Sequence, residues 1–202
     1  MASQRPLILA STSRYRRELL ERLRLPFAVH SPEVDETPLP HEHPLALAQR
    51  LAHAKAHAVA KLHPEAIVIG SDQVADLNGQ PLGKPLTHER AVAQLQAMRG
   101  HTVVFHTAVS VHCIATGFAS TEVAPIHVQF RTAETGMSDA QIERYLRAEQ
   151  PYDCAGSAKS EGLGISLIAA MRSDDPTALI GLPLIHVCSL LQRAGLSVLG
   201  DA

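Results

Sequence analysis

Hydroxyl and guanidinium groups crowd a short turn near the start of the chain, in the sequence ASTSRYRR at residues 10–17. Ser11 and Ser13 follow the apolar run LILA, and Arg16 falls in the first turn of a segment with helical apolar spacing. A cation there opposes the helix dipole by about 0.3–1 kcal/mol. A bound anion removes that conflict, because free N–H groups and the dipole both attract it. The turn therefore predicts a phosphate site, and the alternative is a capped helix with a solvated basic face.

Lys55 is an unusual residue in the next segment with helical periodicity, which covers residues 45–62. At about 100° per residue, it falls between Leu51 and Val59 and is the only charged residue in their apolar arc. Its ammonium must either extend to solvent along its alkyl stem or face an anion in a cleft. Both interpretations remain open from the spacing alone.

Asp72 follows the apolar strand AIVIG, and Lys84 follows in the Gly-Lys-Pro sequence at residues 83–85. α/β proteins tend to expose functional side chains at the carboxyl ends of strands, so Asp72 is a candidate catalytic group. The alternatives are an aspartate that caps a turn and a solvated lysine. Upstream, the stretch PEVDET carries Glu33, Asp35 and Glu36. Such carboxylates suit a hard divalent cation, which takes one or two of them together with phosphate oxygens; a solvated acidic loop is the alternative.

The composition limits the class of protein. Of 202 residues, 46% are hydrophobic, and the net charge of −2 provides no basic field for gripping a long nucleic acid. Three cysteines form an odd set, and the brief apolar run near the N-terminus is too short for a signal peptide or a membrane span. We expect one domain over residues 1–202, in the cytoplasm, with reduced thiols and no membrane partner.

The elements that must position these residues alternate between strands and helices. We expect a strand over 7–10, a helix from the Ser13 cap to about Arg24, a helix over 45–62 and a strand over 66–70. After these we expect a hairpin at Asn78-Gly79, a helix ending at Gly100 and two long strands. The chain then continues with a helix capped at Ser138, a strand in GLGISLIAAM and a closing helix. Sequential hairpins among these elements favour a mixed sheet in an α/β fold.

Six motifs together resemble the Maf-type nucleoside triphosphate pyrophosphatases: LILASTS, PEVDETP, IVIGSDQV, GKPLT, CAGSAKSEGLGI and LIGLPLI. The resemblance implies a curved mixed β-sheet flanked by helices, with two lobes and a central cleft. It also implies hydrolysis between the α- and β-phosphates with a divalent cation, Mg²⁺, Mn²⁺ or Co²⁺. It places Ser11, Ser13 and Arg16 at the phosphates. The matching reaction-centre positions are Glu36, Lys55, Asp72 and Lys84, with Asp72 as the proposed proton acceptor. Glu36 and Asp72 are the candidate metal ligands, and the sequence does not separate the role of Asp72 as ligand from its role as base.

Within that family the chain is most similar to the members that act on 7-methyl-GTP. Tyr15 stands at the position of the first arginine in the family's usual motif. A methylated guanine is positively charged, and its cation–π interaction with an aromatic ring contributes about 0.5–2 kcal/mol. The resemblance places Glu161 on the guanine N–H groups and makes Gln73 a further specificity position. A dTTP/UTP pyrophosphatase is the alternative within the family, and Gln73 and Glu161 disfavour it.

Two other classes of function remain as alternatives: a non-catalytic nucleotide-binding regulator of cell division, and a nucleic-acid-binding module built on the basic first helix. A small-molecule nucleotide is the expected partner, with a homodimer possible. Residues 132–139 form a longer connection than the family pattern predicts, and we interpret them as an insertion in a surface loop.

Overall fold

The computed structural model describes residues 5–200. Its strands and helices alternate as expected for an α/β chain. The strands are β1 Leu7–Ala10, β2 Ala28–His30, β3 Ile67–Leu77, β4 Gln80–Leu82, β5 Thr102–Cys113, β6 Phe118–Phe130 and β7 Ile168–Arg172. The helices are α1 Arg14–Glu21, α2 Pro44–Leu62, α3 His88–Met98, α4 Asp139–Glu149 and α5 Leu184–Arg193.

The seven strands form one mixed sheet in the order β2-β1-β3-β5-β6-β7, and β4 pairs with β3 off this path. β1 and β3 are parallel, and their pairing ends at Ala10 with Gly70. β4 joins the same edge of β3 only from Ala75, which pairs with Leu82. Within the described chain, residues 71–74 therefore have a strand neighbour on the β5 side alone. This gap in the sheet edge is where a cleft opens.

Helices cover both faces of the sheet. α2 packs on one face, where it buries apolar residues of β1, β3 and β5. On the other face, α1 and α5 cover the end that holds β1, and α3 and α4 cover the opposite end. The two separate hydrophobic clusters on that face are the cores of two lobes. The α/β fold with a mixed sheet and two lobes is therefore confirmed.

Gly70 lets α2 approach β3 unusually closely. A Cβ atom at this position would lie 2.4 Å from the backbone nitrogen of Ala56 and 2.5 Å from the carbonyl oxygen of Ala52. Real Cβ atoms essentially never come so close to backbone, so any larger residue would push the helix away. This contact lies beside Lys55 on α2 and Asp72 on β3, and it sets the distance between them.

Several sequence-based expectations were wrong in detail. The strand over residues 66–70 continues to Leu77 as β3, and Asp72 lies in its interior. β2 lies between the first two helices, where no strand was expected, and α1 ends at Glu21, before the expected Arg24. In GLGISLIAAM the first half is a 3-10 turn, because Gly164 packs directly on the backbone of Lys159 and the chain must curve there.

The connection at residues 132–139 is more than a surface loop. A tight turn over Ala133–Met137 is closed by a reciprocal capping box between Thr132 and Thr135. It delivers Met137 into the hydrophobic core, where the side chain is fully buried. The buried Met137 therefore anchors the start of α4 to the core, while the other residues of this segment are exposed or half-buried, and its being an insertion stays a prediction.

Candidate active site

A cleft of about 780 Å³ opens at the free edge of β3, between the two lobes. The first lobe contributes the turn after β1, and the second contributes the segment after β4. The ten residues that the family resemblance assigned to the site all line this one cleft: Ser11, Ser13, Tyr15, Arg16, Glu36, Lys55, Asp72, Gln73, Lys84 and Glu161. Of the three acidic residues in PEVDET, only Glu36 reaches it.

The turn after β1 has the geometry of an anion site. The Ser13 hydroxyl accepts a hydrogen bond from the backbone N–H of Arg16 at 3.4 Å and so caps α1. The buried Ser11 hydroxyl accepts from the backbone N–H of Ser13 at 3.1 Å. The start of a helix, two hydroxyl groups and a cation thus face the same cavity, as an anion requires.

Arg16 is held in place by the segment that precedes α5. Its Nε donates to the carbonyl oxygen of Gly181 at 2.9 Å. Burial lowers the pKa of Arg16, and the carboxylates of Asp72 and Glu36 act against that shift. An arginine keeps its charge in any such site, so a partly desolvated cation faces the two carboxylates. The carboxylates of Asp72 and Glu36 thus offset the unfavourable position of Arg16 at the positive end of the helix dipole.

Lys55 joins the two carboxylates. Its Nζ lies 2.7 Å from Oδ1 of Asp72 and 2.6 Å from Oε1 of Glu36. The side chains of Lys55 and Asp72 are 6% and 11% exposed, whereas that of Glu36 is 57% exposed. Lys55 therefore faces an anion in a cleft, and the alternative that it extends to solvent is wrong. Burial raises the pKa of Glu36, but the hydrogen bond and charge of Lys55 outweigh it and leave that pKa below its usual value.

The loop that carries Glu36 is tied down by Arg50 of α2. Its guanidinium donates to both carboxylate oxygens of Glu42, at 2.6 and 2.8 Å, and to the carbonyl oxygen of Thr37 at 3.1 Å. The hydrogen bond from Arg50 lowers the pKa of Glu42 to about 2. A bidentate pair of this kind fixes geometry as well as charge. Arg50 thus fixes the loop immediately after Glu36.

Lys84 lies on the far wall of the cleft and is exposed. Within the described chain it makes no ion pair shorter than 4 Å, but its charge adds to the lowering of the Glu36 pKa. The three cations Arg16, Lys55 and Lys84 therefore share one cavity with Glu36 and Asp72. They do not lie on separate surfaces.

Gln73 is bound within the protein. Its Nε2 donates to Thr107 Oγ1 at 2.9 Å and to the carbonyl oxygens of Ala178 and Leu179, each at 3.0 Å. The side chain therefore fastens the 178–181 segment to β3, and its amide oxygen is the atom left to face the cleft. This anchoring role adds to the specificity role that the resemblance implied.

The other end of the cleft has an aromatic floor and a carboxylate. The Arg14 guanidinium lies 4.7 Å from the centroid of the Tyr15 ring, so this ring already has a cation at contact distance. Glu161 is exposed on the same wall. Burial is the largest of the effects that raise the pKa of Cys154 there to about 12, and Asp153 adds to it. The thiol is therefore neutral at pH 7 and unsuited to act as a nucleophile.

The donor set fits a divalent cation that also binds the substrate. Asp72 and Glu36 present two carboxylates to one point, and Mg²⁺ characteristically takes one or two carboxylates with phosphate oxygens and water. Over residues 5–200, no group of three or more histidine, cysteine or acidic side chains is arranged to enclose a metal by itself. The protein thus provides part of a coordination sphere, which a triphosphate would complete.

Sequence reasoning counted residues 179–185 among the family motifs but gave them no role in the site. Carbonyl oxygens of residues 178–181 accept hydrogen bonds from Arg16, Ser71 and Gln73. Thr107, directly across from Gln73 in the β3–β5 pairing, is fully buried and joins the same network. The Gly-Leu-Pro sequence at 181–183 signals a turn, but nothing local shows that this turn meets β3.

No helix within residues 5–200 combines the length and the apolar character needed to cross a bilayer. A family model described as "Maf-like protein" matches residues 6–194. The chain is 64% identical over 199 residues to the 7-methyl-GTP pyrophosphatase of Polaromonas sp. strain JS666, covering 98% of this chain and 89% of that protein.

Two further relatives have the same name. The protein of Albidiferax ferrireducens is 61% identical, covering 98% of this chain and 97% of its own length. That of Methylobacillus flagellatus is 58% identical, covering 96% and 99%. The model match and these relatives extend over nearly the whole sequence that forms the two lobes and the cleft, and the chain belongs to the Maf family.

Proposed function

We propose that this protein hydrolyses 7-methyl-GTP to 7-methyl-GMP and pyrophosphate with the aid of a divalent cation. One observation carries the proposal: three cations, two carboxylates and a capped helix start share a single cleft. Such a set matches a polyphosphate and its metal. The substrate is proposed from the names of the relatives, which agree with an aromatic ring and a carboxylate at the other end of the cleft.

The phosphate end binds and neutralises charge. Ser11, Ser13 and the free N–H groups at the start of α1 hold phosphate oxygens. Arg16, Lys55 and Lys84 stabilise the negative charge that builds on the α-phosphate and on the departing pyrophosphate. Because the cleft is partly closed to water, each of these interactions is stronger than it would be in bulk solvent.

Asp72 is the proton acceptor in this proposal, and with Glu36 it would hold the cation. The cation, when bound, polarises the phosphoryl oxygens and reduces the negative charge on the phosphate that the attacking water must approach. Asp72 orients a water molecule in line with the α-phosphorus and takes its proton as the bond to the leaving pyrophosphate breaks. Its position inside β3, packed beneath α2, keeps the carboxylate fixed during this step.

The base end selects the methylated nucleotide. The positively charged 7-methylguanine ring stacks on Tyr15, and Glu161 accepts hydrogen bonds from its N1 and N2 groups. Gln73 presents its amide oxygen between the two ends. The homodimer and the cytoplasmic location stay predictions, and the three free cysteines agree with a reducing compartment.

The test is a screen of free nucleotides, methylated and unmethylated, with Mg²⁺, Mn²⁺ and Co²⁺, scored by pyrophosphate release. We expect 7-methyl-GTP to have the highest kcat/KM. A preference for dTTP or UTP would assign the chain to the other branch of the family, and binding without product would indicate a regulator. Steep salt-dependent binding of oligonucleotides would support the nucleic-acid module.

Asp72→Asn tests the catalytic assignment, and we expect it to lower kcat by about 10²–10⁴-fold. Asp76→Asn is the matched control, because Asp76 points to the same face of β3 but pairs with His106 outside the cleft. Near wild-type turnover in Asp72→Asn would refute the role given to this carboxylate.

A further inference from the structure

The ammonium of Lys55 lies at the point where the two carboxylates of the cleft converge. One nitrogen is 2.7 Å from Asp72 and 2.6 Å from Glu36, and the side chain is only 6% exposed. An Mg²⁺ ion shared by the same two oxygens would lie about 2.0–2.1 Å from each of them. The position that suits such an ion is therefore the one that the ammonium group holds.

The charges around this point oppose the entry of a bare cation. Arg16, Lys55 and Lys84 bring three positive charges, against two negative charges from Glu36 and Asp72. A divalent ion that enters alone meets the Lys55 ammonium at contact range, where repulsion between two cations is strongest. A triphosphate brings negative charge with the metal, and it offers a new partner for the Lys55 ammonium.

We infer that Lys55 occupies the cation position in the nucleotide-free protein and moves to the phosphates when a metal–triphosphate complex enters. This inference deepens the proposed function and rests on it for the site of catalysis. Its consequence is an order of binding: the metal enters together with the nucleotide, and the empty cleft holds metal weakly. Lys55 thereby keeps the buried Asp72 carboxylate paired in the absence of substrate, so that no uncompensated charge remains in the interior.

The experiment measures Mn²⁺ binding by loss of the free-ion EPR signal, with Mn²⁺ alone as the probe. We expect Lys55→Met to bind Mn²⁺ more tightly than the wild type by about tenfold or more, because a contact charge has been removed. Lys84→Met is the matched control: it removes an equal charge from the same cleft, but this lysine makes no ion pair with either carboxylate in the described chain. We expect it to tighten binding by no more than about threefold, as for a screened charge at longer range.

A second variant guards against misfolding. Lys55→Gln keeps a hydrogen-bond donor beside both carboxylates, and we expect it to fold and to bind Mn²⁺ more tightly than the wild type. For the wild type, an α,β-methylene analogue of 7-methyl-GTP, which resists cleavage, should raise the Mn²⁺ affinity of the protein by about tenfold or more, after subtraction of the Mn²⁺ that the analogue binds by itself. Unchanged Mn²⁺ affinity in Lys55→Gln, or equal gains in Lys55→Met and Lys84→Met, would overturn the inference.

The two proposals fail separately. If 7-methyl-GTP is not hydrolysed but the Lys55 variants still bind Mn²⁺ more tightly, the substrate assignment is wrong and the role of Lys55 stands. If hydrolysis is confirmed but the variants bind Mn²⁺ like the wild type, the role given to Lys55 is wrong and the substrate assignment stands.

Discussion

Replacing Gly70 by alanine tests whether the close contact between α2 and β3 sets the geometry of the site. The new Cβ atom would lie 2.4 Å from the backbone nitrogen of Ala56, and an ordinary contact begins at 3.4 Å. Backbone cannot rotate away as a flexible side chain can, so α2 must move by about 1 Å. Lys55 precedes Ala56 directly on this helix, and the displacement would therefore pull its ammonium away from Asp72.

The expected loss has two parts. Overpacking in a rigid core costs about 3 kcal/mol, which lowers the Tm of a chain of this size by roughly 6–12 °C. A displacement of about 1 Å at reacting groups lowers kcat/KM by about 100-fold. Thermal unfolding and pyrophosphate release measure the two effects in one preparation. Gly83→Ala is the stability control, because a Cβ atom there has no heavy atom within 4 Å. If Gly70→Ala melted with the wild type and kept its activity, the packing argument would be refuted.

Two further changes separate the parts of the site, and a third tests a buried histidine outside it. Tyr15→Arg should lower the preference for 7-methyl-GTP over GTP by roughly 2–30-fold, whereas Tyr15→Phe should keep it, as competition kinetics would show. Arg50→Met frees the loop beside Glu36, so the Mn²⁺ concentration for half-maximal activity should rise about tenfold; an unchanged metal titration would refute this. The pKa of His112 is lowered to about 4, mainly by burial and then by His53 and His57. As the pH falls, His112 is therefore protonated in the unfolded chain before it is protonated in the folded protein. The free energy of unfolding then decreases by up to about 3 kcal/mol between pH 6.5 and pH 4. Urea unfolding at pH 7 and pH 5 should show a smaller difference for His112→Gln than for the wild type, and equal differences would contradict it.

Local pattern was enough to find the residues of the cleft but not the contacts among them. Lys55 could be identified because a charge within an apolar helical arc needs a partner, and its buried ion pairs supply two. Ser13 could be identified as a cap because its hydroxyl acts within three residues of its own position. Gly181 and Thr107 could not, since their role depends on a segment more than seventy residues from Thr107 meeting the sheet. No periodicity carries that information.

Asp72 shows how a residue of the cleft can be found by an incomplete argument. The sequence suggested a carboxylate at the end of a strand, where α/β proteins expose functional groups. The structure places it in the interior of β3, with a neighbouring strand on the β5 side only. The carboxylate is accessible because β1 stops at Ala10 and β4 begins its pairing at Ala75. Unequal strand lengths, rather than the end of one strand, therefore create the opening. Since α2 seals the face above Asp72, a substrate can approach only from that edge, and the cations on its two sides, Arg16 and Lys84, come from different lobes.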